Sequence, residues 1–201
     1  MVLLTGEIKT WQVIVCVVAV FAVATVYVLI HDRKNTKLAN TGEDKNRLKE
    51  ILRGVVPDLE NYTSAYAFWQ ITKYYGRRSE TTYWYYGIAF NDDRIHVVQL
   101  ENTTGQIRGA NSFVVEKSRL GMVNSKPGLN WMSLYDEDGD EIVTLMVVKE
   151  NLKDDSFHPV NIIQGEEAEA FQALVTKWLE DVNTAKGVTV TGKYGAPLKK
   201  K

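Results

Sequence analysis

Residues Trp11 to Ile30, WQVIVCVVAVFAVATVYVLI, run for twenty positions without a charge, a proline or a glycine. Wound as a helix, such a run spans about 30 Å, the hydrocarbon thickness of a bilayer. In hydrocarbon the backbone finds no water to bond, so even a valine-rich segment closes its hydrogen bonds internally as a helix. Trp11 and Tyr27 stand near the two ends, where interfacial rings belong. A cleaved signal peptide would have a basic start and a shorter apolar stretch. Ala22-Val23-Ala24 does match a cleavage site, but Thr25 to Ile30 prolongs the apolar run, and Glu7 offsets Lys9. Ile14 and Val15 are too bulky to precede a lipid-anchor cysteine at Cys16. The expectation is a retained single span.

The flanks set its direction. Lys9 is the only basic side chain before the run, whereas Arg33, Lys34, Lys37, Lys45, Arg47 and Lys49 follow it. Excess Lys and Arg mark the cytoplasmic side, and Asp32 does little against them. The C-terminal part is therefore expected on the cytoplasmic face of a cell membrane. Cys16 is the single cysteine, so the remainder forms no internal disulfide. Asn61-Tyr62-Thr63 and Asn102-Thr103-Thr104 match the glycosylation triplet, which is used only on a lumenal face. Lys and Arg number 24 against 25 Asp and Glu, a net charge of −1, and only Glu7 and Lys9 of these precede residue 31. So even a balance gives no general attraction to nucleic acid. The basic groups Arg33, Lys34, Lys37 and Lys199 to Lys201 read as a topology signal and a solvated end.

The expected division is a flank (1–10), a transmembrane helix (11–30), a polar linker (31–43), a helical segment (44–75), a β domain closed by a helix (76–183), and a flexible tail (184–201). Leu48, Ile51, Leu52 and Val55 recur at helical spacing, with Pro57 ending that helix near Gly54 to Val56. Leu59, Tyr62, Tyr66 and Trp69 continue a helical spacing, although residues 66–75 also suit a strand. From Tyr83 the period turns to two. Trp84, Tyr86, Ile88 and Phe90 share a face, with Gly87 opposite at a bend or bulge. Asn91-Asp92-Asp93 turns into a strand from Arg94 to Leu100. Short strands follow near Phe113 to Val115 and Arg119 to Asn124. Asn130 to Tyr135 and Glu141 to Val148 form a hairpin around Asp136-Glu137-Asp138-Gly139-Asp140. Phe171, Leu174, Val175, Trp178, Leu179 and Val182 make one apolar stripe of a terminal helix, with Glu166, Glu167 and Glu169 in its first turns.

The strand Tyr86-Gly87-Ile88-Ala89-Phe90, the strand Arg94-Ile95-His96-Val97-Val98, the hairpin Leu134 to Ile142 and the helix around Phe171 and Trp178 together resemble a pleckstrin-homology-like domain of the bacterial or GRAM type. The likeness covers residues 83–183 and lies in strand order. It implies an α+β fold: behind the transmembrane helix and a short helical segment, a partly open antiparallel β-barrel or sandwich capped by a C-terminal amphipathic helix, used as a binding platform. Members that bind phosphoinositides use basic residues in the first hairpin loop. Taken as Asn91 to Arg94, that loop sets Asp92 and Asp93 against phosphate oxygens and speaks against phosphoinositide binding.

Nothing in the residues specifies a reaction. His31, His96 and His158 share no metal-ligand spacing, and no cofactor or metal is expected. Asp136, Asp138 and Asp140 alternate as in a calcium loop, but the sixth and twelfth positions hold Glu141 and Val147 in place of Gly and Glu. The serines occupy no nucleophile elbow, and no phosphate-binding glycine loop is present. Tyr74, Tyr75, Tyr83, Trp84, Tyr85 and Tyr86 crowd more rings together than one half-buried strand hides. Part of this patch, namely Arg77, Arg78, Tyr83, Trp84 and Tyr85, is the expected contact for a protein partner or a second copy, because Tyr, Trp and Arg dominate interface hot spots. The expected function is a membrane-anchored, non-catalytic binding or scaffold module, possible as a subunit of a membrane complex. Two other readings stay open. One is an extracytoplasmic ligand-binding or envelope-associated module; the other is an enzyme with a pocket of tyrosine-rich strands and His96.

Overall fold

In a computed structural model of the chain, residues 10–103, 106–126, 128–153 and 159–187 are described. The apolar run is helical, as expected, within α1 (Thr10–Thr41). The stretch from Val13 is long and apolar enough to cross a membrane, and none of its most apolar window is buried. The helix does not stop at the polar residues. Positions 31–43, expected as a linker, continue α1 to Thr41 because tertiary contacts hold them there. Asn35 and Ala39 are buried, and Asn35 Nδ2 donates to Lys153 O at 2.8 Å. Gly42 then breaks the helix at φ +69°, a conformation that favours glycine.

Directly after it comes α2 (Glu43–Arg53), which buries Leu48 and Leu52 and ends before Gly54, as Pro57 foretold. Glu43 and Asp44 complement the positive end of its dipole. Asp44 also accepts a hydrogen bond from Asn161 N–H at 2.7 Å. A 3-10 turn at Leu59–Asn61 leads into β1 (Thr63–Tyr75). The helical reading of residues 63–75 is thereby corrected. Ala65 and Ala67 enter one core while Tyr66 and Phe68 enter another. A strand buried on both faces shows no alternation, so its period of two was hidden.

The sheet continues through β2 (Arg78–Phe90), β3 (Arg94–Thr103), β4 (Gln106–Glu116), β5 (Met122–Asn124), β6 (Trp131–Tyr135) and β7 (Glu141–Met146), in the order β4-β3-β2-β1-β7-β6-β5. All these pairings are antiparallel. A two-stranded ladder, β8 (Glu150–Asn151) with β9 (Ile162–Ile163), precedes α3 (Gly165–Lys186). The expected short strand at 119–124 shrinks to Met122–Asn124 behind a 3-10 turn. The hairpin at Asp136 forms as expected. Gly139 takes φ +86°, and Asp136 Oδ1 accepts from the backbones of Asp138 and Asp140 at 3.0 and 2.9 Å. The fold is thus α+β. The sheet remains open, with β4 and β5 as its edges, so no barrel closes.

Two cores lie on opposite faces. On one, Phe171, Trp178 and Val182 of α3 pack against Ile88, Phe90, Ile95 and Leu134. On the other, Leu48, Leu52, Val56 and Leu59 cover Tyr66, Phe68, Ala89 and Leu100. Gly87 is no bulge, since β2 keeps continuous register with both neighbours. A Cβ there would stand 2.9 Å from Leu48 Cδ1, and one at Gly109 would stand 2.9 Å from Ile51 Cγ2. Both glycines let α2 lie close on the sheet.

The two meanders, β1–β4 and β5–β7, share a single bridge, Phe68 with Met146. Buried Gln164 reinforces it. Its Oε1 accepts from Tyr66 N–H at 2.8 Å, and its Nε2 donates to Tyr66 O at 2.8 Å and Val148 O at 3.0 Å. Asn183 does the same for the edge strand, bonding Val123 N–H and O at 3.0 and 2.8 Å. Replacing Gln164 with Ala leaves several buried backbone groups unpaired, at roughly 1–3 kcal/mol each. Gln164→Ala should therefore cost more than about 2 kcal/mol in denaturant unfolding of the full chain; a loss confined to a few tenths would show that this amide joins nothing.

Candidate functional site

The C-terminal half of β2 is rooted in the sheet, but its N-terminal half is not. Pairing with β3 begins only at Tyr85 opposite Leu100, and β1 meets β7 only at Phe68. From Trp69 and Trp84 outward, β1 and β2 pair with each other alone, down to Tyr75 opposite Arg78. The result is a two-stranded arm standing off the body. Its turn is Gly76-Arg77, with Gly76 at φ +64° in the first turn position, where a two-residue hairpin needs glycine. Ile71, Tyr74 and Tyr75 are 44, 78 and 60 % exposed. Cross-strand contacts hold the arm together, including the Thr72 and Thr81 hydroxyls at 2.9 Å.

Four of the five residues singled out from the sequence lie in this arm, with Tyr85 at its root opposite Leu100, and the arm divides them. Tyr83 and Tyr85 lie on the α2 side, their rings parallel with centroids 6.2 Å apart. The row continues inward to Tyr66 at 6.4 Å from Tyr85, and then to Phe68. Trp84 points the other way, opposite Trp69 in the register; Trp69 in turn approaches Trp131, with centroids 6.2 Å apart. Arg77 and Arg78 are exposed at the tip. Lys73, Ile71 and Trp69 complete the surface and were missed. The signal was a lone glycine between two runs of Thr, Tyr and Trp, which is a hairpin signature.

The first hairpin is therefore Gly76-Arg77, and Asn91 to Arg94 forms the second turn. That second turn is engaged with α3: Asp92 meets Lys177 at 2.6 Å, and its carbonyl accepts from Trp178 Nε1 at 2.9 Å. The first hairpin of the sheet thus carries Arg77 in its turn and Arg78 just after it, in place of Asp92 and Asp93.

Three of the tyrosines are harder to ionise than a free phenol. Burial, then the neighbouring Tyr85, holds the Tyr66 phenol well above its ordinary range. Burial and Tyr83 raise Tyr85, and burial and Glu141 raise Tyr86. His96 is 9 % exposed, with Tyr62 edge-on at 5.0 Å and no hydrogen-bond partner on Nε2. Burial, then the Arg94 charge, lowers its pKa. His158 and residues 188–201 lie outside the described residues.

Two open clefts lie away from the arm. One, of about 470 Å³, is lined by Arg94, Lys117, Leu120, Asp181 and Lys186. Its charges are largely engaged, with Lys117 on Asp181 at 2.8 Å and Lys186 on Glu137 at 2.7 Å. The other, of about 380 Å³, lies among Lys49, Arg53, Glu60, Tyr62 and Glu167. Among the described residues no group of three or more His, Cys, Asp or Glu is placed to hold a metal ion. Comparison with protein-family models, curated proteins and solved structures gives no match.

A histidine whose folded pKa lies below its unfolded value binds its proton more readily when unfolded. Stability is then intact above about pH 6.5 and falls as the pH drops through that value towards the folded pKa. The unfolding midpoint of the full chain should fall between pH 7.5 and 5.5, and His96→Gln should flatten that slope. An unchanged slope in the variant would clear His96 of the effect.

Proposed function

We propose that this chain is a single-pass membrane protein whose cytoplasmic domain is a non-catalytic binding module for a protein partner. The observation that carries the reading is the arm, a ribbon with aromatic side chains on both faces and neither edge paired beyond its root. Exposed rings grouped in this way mark interaction surfaces. Tyr83 and Tyr85 supply one flank, while Trp84 with Ile71 supplies the other. The membrane part of the reading rests on the long apolar stretch of α1, whose most apolar window is unburied, and its direction rests on Arg33, Lys34 and Lys37. The strand order, two meanders meeting at β1 and β7 with α3 packed between them, supports a pleckstrin-homology-like ancestry for the domain.

Affinity capture of the full chain from mild detergent tests the partner. Ile71→Ser with Tyr83→Ser, which leaves both cores intact, should lower capture of the bound protein by tenfold or more, the scale of a hot-spot loss. Retention of the same partners at the same yield would remove the arm from this role. Orientation has its own readout: protease added to sealed cells should leave the domain uncut and digest it only after permeabilisation.

A further inference from the structure

The arm's tip differs in chemistry from its flanks. Lys73, Arg77 and Arg78 face Glu80 alone, a net +2 in a chain whose total is −1. Between these cations stand Tyr74 and Tyr75, the most exposed rings of the arm. Basic side chains with tyrosine at an apex combine attraction to anionic headgroups with a ring suited to the interface.

Placement agrees with this chemistry. Arg47, in the second turn of α2, donates from Nε to Ile107 O at 3.0 Å. Ile107 pairs with Asn102, two residues beyond the Leu100–Tyr85 pair in the direction of the arm. From there α2 runs back, and its far end leads through Leu59 to Thr63, where β1 begins. The helix α2 therefore starts at the end of the sheet from which the arm projects, and α1 joins it there through Gly42. No slack separates the two, because α1 remains helical to Thr41 and is docked through Asn35 and Ala39. From Arg47 back to His31 is at most about 24 Å of helix. From Gln70 to Tyr75 the ribbon spans about 17 Å, to which an extended Tyr or Arg side chain adds. The two lengths are comparable, so an arm and an α1 that leave the domain on the same side would meet the same layer.

We propose that the β1–β2 tip, Lys73, Tyr74, Tyr75, Arg77 and Arg78, rests on the anionic headgroups of the leaflet that α1 enters, giving the domain a second membrane contact. The proposal rests on α1 lying in the bilayer. Tethering removes most of the cost of finding the surface, so a contact too weak to recruit a free domain suffices to fix the tilt of an anchored one. Charge and ring exposure favour a lipid surface for the tip, while the flanks remain open to protein.

The test uses the full chain in nanodiscs holding one copy, with an environment-sensitive fluorophore on single cysteines and nitroxide-bearing lipids as quenchers. Cys16, the native cysteine, reports on α1. In a Cys16→Ser background, Ser79→Cys reports on the tip and Ser118→Cys on the opposite end of the sheet. Position 79 should be quenched at least twofold more by headgroup nitroxides in phosphatidylglycerol discs than in phosphatidylcholine discs, and position 118 should not differ. Replacing Lys73, Arg77 and Arg78 with Glu should abolish the difference. Deep quenching at Cys16 with position 79 no closer than position 118 would overturn the tip contact while leaving the anchor standing. Absence of acyl-chain quenching at Cys16 would overturn both. Quenching at 79 that appears only with two copies per disc would also overturn the proposal, in favour of a contact between copies.

Discussion

The buried carboxamide of Gln164 is the contact on which the architecture turns. Two antiparallel meanders that share one backbone bridge are barely a single sheet. An amide side chain carries a donor and an acceptor on one plane, and so imitates the peptide of an adjacent strand. Placed immediately before α3, Gln164 joins Tyr66 of β1 to Val148 beyond β7 and fixes where the helix starts. Asn183 repeats the device near the other end of α3, on the outer edge of β5, which it covers. Between them, Trp178 anchors to the β2–β3 turn. The helix is thus held by polar bonds at three points while its apolar stripe fills the core.

On the opposite face the same sheet carries α2, admitted by the missing side chains of Gly87 and Gly109. Lys45 ties α2 to the start of α3 through Glu167 at 2.6 Å. With both faces covered, the root of β1 and β2 is among the most constrained parts of the chain. Beyond that root the ribbon pairs only with itself. Between α1 and α2 stands only Gly42, and α1 is docked on the domain through Asn35 and Ala39.

Legibility in the sequence followed periodicity. The helices α2 and α3 each bury one stripe and were plain from the spacing of Leu48 and Leu52 and of Phe171, Val175 and Trp178. The hairpin at Asp136 was plain because its turn residues also satisfy one another. Two segments were hidden for opposite reasons. Residues 63–68 bury both faces, which erases alternation, and residues 31–41 are polar, so their helix depends on partners distant in sequence, notably Lys153. The candidate surface was half legible. Its aromatic richness was visible from Tyr74 to Tyr86, but the pairing of Trp69 with Trp84 and the separation of Tyr83 from Trp84 onto opposite faces follow from register alone.

The amino-acid sequence by itself determined a twenty-residue apolar helix, an α+β domain and an excess of rings and basic groups near residue 77, because each is written in composition or local period. Tertiary structure decided which hairpin comes first, that it projects, and that its tip gathers the cations. Those outcomes depend on where β3 and β7 stop pairing, which is set by the packing of α2 and by one glutamine nearly a hundred residues away in the chain.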